Sequence, residues 1–213
     1  MRIVQPTGTR GSLKWIQRAV QDRPFVLEHP SIGAVEWLSP LAADNFAEYR
    51  DEAFLDRVGL SPLSVVLDDF WPKRGPQWDA LGVAEKSVVV LVEAKAHLDE
   101  LFSSFKAGET SRHRIESSLS VVRTALKAQD GADWTRRFYQ YANRLAHLWL
   151  LRSNGVDARL LLVGFLNDHD VKGPSSAEDW RAAYRMMDYA LGLPRQHALS
   201  PNILHVFPDT RDL

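Results

Sequence analysis

The sequence contains no cysteine. That excludes disulfides, thiolate zinc sites and cysteine nucleophiles, and it leans toward a reducing, cytoplasmic setting. Long apolar runs are also missing. The longest, Val88 to Val92, falls far short of the ~20 residues that a membrane span requires, so no membrane partner is expected. The opening residues Met1-Arg2-Ile3-Val4-Gln5-Pro6 lack the apolar centre of a signal peptide. Neither sign of charge dominates: 26 Lys and Arg face 27 Asp and Glu, for a net charge of −1. A surface that is positive all over is thereby excluded, and any nucleic-acid contact must come from a local patch. Internal repeats and low-complexity tracts are absent. What remains is a 213-residue chain, 45% hydrophobic and 25% charged, the composition of a globular protein able to bury roughly 70% of its unfolded surface. A single domain over residues 1–213 is the expectation.

Along the chain, Leu13, Ile16 and Val20 suggest a short helix, after which Pro24, Pro30, Gly33 and Pro40 interrupt the pattern repeatedly. The spacing of Phe46, Tyr49 and Ala53 predicts a helix from Asp44 to Val58, with Gly59 just past its end. Three extended segments are then expected: Val65-Val66-Leu67 running into Phe70-Trp71, Gln77 to Leu81, and Ser87 to Glu93. The last is apolar on both pleat faces, as in a buried central strand. Ile115, Leu119, Val122 and Leu126 keep helical spacing. Asp133 is a candidate N-cap for a long helix closed by Gly155. Ala158 to Leu166 reads as a strand, Trp180 to Leu191 as a helix, and Asn202 to Phe207 as an edge strand. The fold class is α/β, a central mixed β-sheet flanked by helices.

The third strand is where chemistry enters. Its apolar run ends in Glu93-Ala94-Lys95, and residues i and i+2 of a strand share a face. Pairing Asp79 with Glu93 in an antiparallel hairpin puts the turn at Lys86, within the polar segment Glu85-Lys86-Ser87. Two carboxylates and one ammonium then meet at one edge of the sheet. Two such carboxylates repel unless a cation lies between them. Magnesium uses one or two carboxylates and keeps room for water and phosphate, and it activates bound water. A lysine beside that water can orient it or stabilise developing charge. The set suits metal-assisted hydrolysis of a phosphodiester; the plain alternative is a structural Glu93–Lys95 salt bridge. A second acid-x-Lys copy, Asp170-Val171-Lys172, acts as an internal control. Its nearest upstream acid, Asp157, lies across one continuous strand, more than ~30 Å away at ~3.3 Å per residue.

Asp79, thirteen intervening residues and Glu93-Ala94-Lys95, in the order helix, three strands, helix, strand, resemble the PD-(D/E)XK nuclease superfamily, with its restriction-endonuclease-like αβββαβ core. The resemblance covers about residues 44–165. It implies that Asp79 and Glu93, with the backbone carbonyl of Ala94, bind Mg²⁺ or Mn²⁺, and that Lys95 serves the attacking water. One departure is that Trp78, not proline, precedes Asp79. The first core helix of the family often supplies a further acid, for which Glu48 and Glu52 are the candidates; Asn45-x-x-Glu48 also reads as a helix-start capping pair. Some members place a glutamine on the helix after the motif with a tyrosine four residues on; here Gln140 is followed by Arg144, so that pattern is not matched.

Lys73, Arg74, Lys106, Arg112 and Arg136-Arg137 flank the motif, and a phosphate-backbone groove would need such residues on one side. Asp168 and His169 follow the last core strand, and read first as a polar loop. The remaining histidines, including His97, His113 and His147, show no metal spacing. The stretch from Ala96 to Gly131 exceeds what the core requires; it covers substrate, forms a homodimer contact or adds core. Two functions stand side by side: a magnesium-dependent nuclease-like phosphodiesterase acting on DNA, and a catalytically silent nucleic-acid or protein interaction module on the same fold.

Overall fold

A computed structural model describes residues 1–105 and 108–213. Its strands are β1 (Arg2–Ile3), β2 (Val35–Ser39), β3 (Glu48–Tyr49), β4 (Ala80–Ala84), β5 (Val88–Lys95), β6 (Ala158–Gly164) and β7 (Ile203–Val206). Its α-helices are α1 (Gly11–Asp22), α2 (Glu52–Arg57), α3 (Ser64–Phe70), α4 (Glu109–Ala125), α5 (Tyr139–Ser153) and α6 (Ala177–Ala190). The protein is α/β. A five-stranded mixed sheet runs in the order β2-β4-β5-β6-β7, and β1 pairs with β3 in a separate ribbon. β2, β4 and β5 are antiparallel neighbours, whereas β5, β6 and β7 are parallel. Parallel neighbours need crossover connections; α4 and α5 bridge β5 to β6, and α6 bridges β6 to β7.

β5 is central and all eight of its residues are buried. The period of two divides it between two cores. Val89 and Leu91 face α4, α5 and α6, together with Leu81, Leu160 and Leu162. Val88, Val90, Val92 and Ala94 face α1, whose Trp15, Ile16, Ala19 and Val20 cover them. Each fully buried Val or Leu of this strand contributes roughly 1.5–3 kcal/mol of transfer free energy. The β4–β5 hairpin follows the expected register, with Ala80 opposite Val92 and Ala84 opposite Val88. Its turn falls on Glu85–Ser87, where Lys86 and Ser87 adopt positive φ.

Several expectations are corrected. No helix spans residues 44–58. Asn45, Phe46 and Asp51 sit at φ of 53, 50 and 54°, which ends any helix there, and Glu48 and Tyr49 pair instead with Ile3 and Arg2. Only Glu52–Arg57 is helical, so Glu48 and Glu52 are not one helical turn apart and Asn45 caps nothing with Glu48. The expected strand at Val65–Leu67 is helix α3. Its inward residues Leu63, Val66, Leu67 and Phe70 keep helical spacing, while Val65 is 71% exposed. The first sheet strand is therefore β2, hidden in sequence because it is a five-residue edge strand ending at Pro40. The sheet core thus starts near residue 35 rather than 44. Asp133 closes a local turn by accepting from the Thr135 backbone N–H at 2.8 Å. The first turn of α5 is capped from a distance, by Ser103 Oγ accepting from the Gln140 N–H at 2.8 Å. Among the described residues, no helix is long and apolar enough to cross a membrane.

Candidate active site

Strand alternation aims Glu93 and Lys95 at the helix layer that Val89 and Leu91 pack against, at the carboxyl end of β5. Glu93 is 4% exposed and Lys95 8%. Charges this deep require partners. Glu93 Oε1 lies 2.6 Å from Lys95 Nζ, and Glu93 Oε2 accepts from Arg144 Nε. Arg144 projects from α5 and is itself 3% exposed. Its Nη2 donates to the Gln77 carbonyl at 2.6 Å and its Nη1 to Asn143 Oδ1 at 3.1 Å. The guanidinium lies 4.8 Å from the centre of the Trp78 ring, a cation–π contact. One arginine thus ties α5 to both strands of the hairpin edge.

Asp79 immediately precedes β4, one step beyond the Ala80–Val92 pair, where its backbone N–H donates to the Val92 carbonyl at 3.3 Å. Its Oδ2 accepts from the Ala94 N–H at 2.7 Å. Glu48 reaches the cluster from β3, where its Oε2 accepts from the side-chain amides of Gln77 and Gln5. Burial pushes the Asp79 carboxyl up to about 8, and the neighbouring Glu93 charge adds to that rise, while Lys95 and Arg144 oppose it. Burial likewise lifts Glu48 to about 7 against the hydrogen bond from Gln77. Burial acts the same way on Glu93, but Arg144 and Lys95 overcome it and hold this carboxyl below its ordinary value. Burial would lower Lys95; Glu93 and Asp79 outweigh it and keep the ammonium charged. The cluster is one carboxylate held between two cations, with burial favouring the protonated form of Asp79 and of Glu48.

The donor set suits a hard divalent cation. Asp79 and Glu93 present carboxylate oxygens from adjacent strands, and Glu93 Oε1, although close to the ammonium, receives no well-directed hydrogen bond among the described residues. Among those residues, no group of three or more His, Asp or Glu side chains gathers in metal-binding geometry. Two carboxylates leave most of a magnesium shell to water and substrate. On the helix side of Glu93 and Lys95, Gln140, Tyr141, Tyr184 and Met187 close a cavity of about 10 Å³, the size of one water molecule. Asp79 and Gln77, on the other side of the cluster, are half-buried.

Of the supporting residues, Glu48 and Gln140 are brought to the cluster. Glu52 is not: its side chain is 60% exposed and lies 3.8 Å from Lys73. Lys73 bonds chiefly to Asp68, at 2.7 Å. Lys73 and Arg74 line a cleft of about 400 Å³ with Trp71, Phe105, Ser111 and Tyr139, at the first turn of α5. Arg112 stacks over Phe105 at 4.9 Å and lies 3.8 Å from Glu116. Lys106 falls outside the described residues. Asp168 is structural: buried after β6, it accepts from Trp15 Nε1 at 2.6 Å and so holds α1 on the sheet. His147 is buried in a cage of Phe54, Trp71 and Trp78. In the second acid-x-Lys copy Asp170 lies 3.4 Å from Lys14, and Asp157 pairs with Arg152 and Arg159, all far from any shared centre.

Sequence reasoning missed the parts that Gln77 and Arg144 play. A signal for Arg144 existed, because it interrupts the buried stripe Tyr141, Leu145, Leu148 on α5, and a charge inside such a stripe must face another charge. Comparisons of the chain with protein-family models, with curated proteins and with solved structures gave no match.

Proposed function

We propose that this protein is a Mg²⁺- or Mn²⁺-dependent phosphodiesterase of the nuclease type, acting on nucleic acid with DNA as the first substrate to test, on a restriction-endonuclease-like core. The observation that carries this reading is that Asp79, just before β4, accepts from the Ala94 N–H between Glu93 and Lys95, whose side chains share one buried face of β5. The sheet order lends support: an antiparallel β2-β4-β5 meander followed by a helical crossover to a parallel β6 is the arrangement the motif requires.

Asp79 and Glu93 would hold the ion, which when bound polarises a phosphoryl oxygen and acidifies a water. Asp79 would have to be deprotonated to serve as a ligand. Lys95 Nζ, fixed by Glu93, orients the attacking water or neutralises charge developing on the phosphate. Arg144 and Gln77 fix the position of the hairpin edge. Lys73 and Arg74, which line the cleft at the first turn of α5, would be the residues to meet flanking phosphates.

One observation favours the second reading, a silent interaction module: both oxygens of Glu93 already face cations inside the fold. The deciding experiment is cleavage of linear, circular and single-stranded DNA and of RNA in Mg²⁺ and Mn²⁺, with Lys95→Met as the control. Cleavage by the parent and loss of at least ~10²-fold in the variant, the scale of a general acid–base contribution, are expected. No cleavage of any substrate, with no thermal shift on adding either metal, selects the module.

A further inference from the structure

Arg144 is chemically out of place beside a cation site. Its Nε donates to Glu93 Oε2 while Lys95 Nζ sits 2.6 Å from Oε1, so each oxygen of the central carboxylate faces a fixed positive charge. A divalent ion added to this arrangement would bring two more positive charges beside the two that already face Glu93, in a buried setting where like charges are poorly screened. The arginine is also anchored so that it can release Glu93 without leaving its place: Nη2 bonds the Gln77 carbonyl, Nη1 bonds Asn143 Oδ1, and the guanidinium plane rests on Trp78. Only the Nε bond has to open.

We propose that Arg144 is a resident competitor of the metal, a built-in cation that neutralises Glu93 in the ion-free protein and must give up its Nε bond before a divalent ion is held. The inference rests on the metal-dependent reading above and adds a regulatory element to it. Ion affinity is set by the exchange of one cation for another on Glu93. The site therefore stays closed at low divalent-ion concentration without unfolding, and the ion-free protein is not left with an uncompensated buried carboxylate.

Two measurements test this. In the first, Mn²⁺ alone is titrated calorimetrically into the parent, Arg144→Met and Arg144→Gln. Met keeps the stem against Trp78 and removes the charge, and Gln keeps a hydrogen-bond donor without it. Both should bind Mn²⁺ about tenfold tighter or more, within the usual range of coupling between two sites, and both should show a larger rise in Tm on adding Mn²⁺ than the parent does. Binding in the parent with equal or weaker binding in the variants overturns the inference alone and leaves Arg144 as a positioning residue. No binding in any of the three overturns the metal-dependent reading itself. The second measurement needs no variant. The Nε–H resonance of Arg144 in the parent, shifted downfield by its carboxylate partner, should move upfield as Mg²⁺ saturates the protein. A resonance that stays in place while Mg²⁺ binds shows that the arginine does not exchange with the ion.

Discussion

At the scale of single residues, the charge states at the site separate roles that simple truncation would confuse. Glu93 is both the proposed ligand and, among the described residues, the carboxylate that pairs with Lys95 and Arg144. Its loss therefore damages the fold whether or not a metal ever binds. Glu93→Gln should destabilise the ion-free protein by about 3–5 kcal/mol, the cost of leaving buried charges unpaired. Asp79 differs, because burial already keeps it protonated near neutral pH. Asp79→Asn retains an oxygen to accept from the Ala94 N–H, so its stability in chelator should stay within about 1 kcal/mol of the parent near pH ~4, the worth of one hydrogen bond, and exceed the parent's at neutral pH, where the parent must take up a proton to fold, while its Mn²⁺ response disappears. Urea denaturation and Mn²⁺ calorimetry on both variants check this. An Asp79→Asn protein that still binds Mn²⁺ normally would remove Asp79 from the site. The β4–β5 register and the Glu93–Lys95 contact were legible in sequence because hairpin register is arithmetic: once a turn is placed at Lys86, the facing pairs follow. The Arg144 and Gln77 contacts were not, because they depend on how α5 is rotated against the sheet, which no local pattern encodes.

At the scale of elements, legibility followed burial and length. β5, β6 and α6 carry strong periodicity, and the structure places them close to where the sequence does. β2 and α3 are short, and tertiary packing decides them. The two Val residues opening α3 favour a strand in isolation, yet the stripe of Leu63, Val66, Leu67 and Phe70 packs only as a helix. The residues 44–58 show the reverse error, an apparent helical period cut by three positive-φ residues. Close approach between layers gives a further prediction. Gly164 ends β6 opposite Lys95, and a Cβ there would meet the Trp180 ring of α6 at 2.6–2.8 Å. Trp180 is fully buried and its Nε1 donates to the Phe165 carbonyl at 3.1 Å, so it has nowhere to retreat. Gly164→Ala should cost about 1–3 kcal/mol, the usual overpacking range. In a chain of this size that lowers Tm by roughly 2–4 °C per kcal/mol, which differential scanning calorimetry reads directly. An unchanged Tm would mean that α6 is free to slide on the sheet.

At the scale of the whole molecule, the buried cluster lies between the sheet and the helix layer, so its protonation is linked to global stability. Asp79 and Glu48 have folded-state values raised to about 8 and about 7, above those of an unfolded chain. Between the unfolded and folded values the native state holds the extra protons, so stability is lost as pH rises through that range. His147 and His205 act oppositely. Burial lowers them to about 3 and about 4, the unfolded chain binds the extra protons below ~6.5, and stability is lost as pH falls. From about pH 4.5 to 6 the two trends offset each other. Between about pH 6.5 and 8 the unfolded histidines are already neutral and only the carboxyl effect remains. The metal-free protein should therefore lose stability across that window, with Asp79 contributing a slope of up to about 1.4 kcal/mol per pH unit. Asp79→Asn should remove most of the slope, because an amide has no proton to release. Thermal melts in chelator at half-unit steps from pH 6 to 8.5 measure both curves. A parent curve that stays flat from 6.5 to 8 would mean that Asp79 ionises like an exposed carboxyl, against the direction in which burial and the Glu93 charge push it.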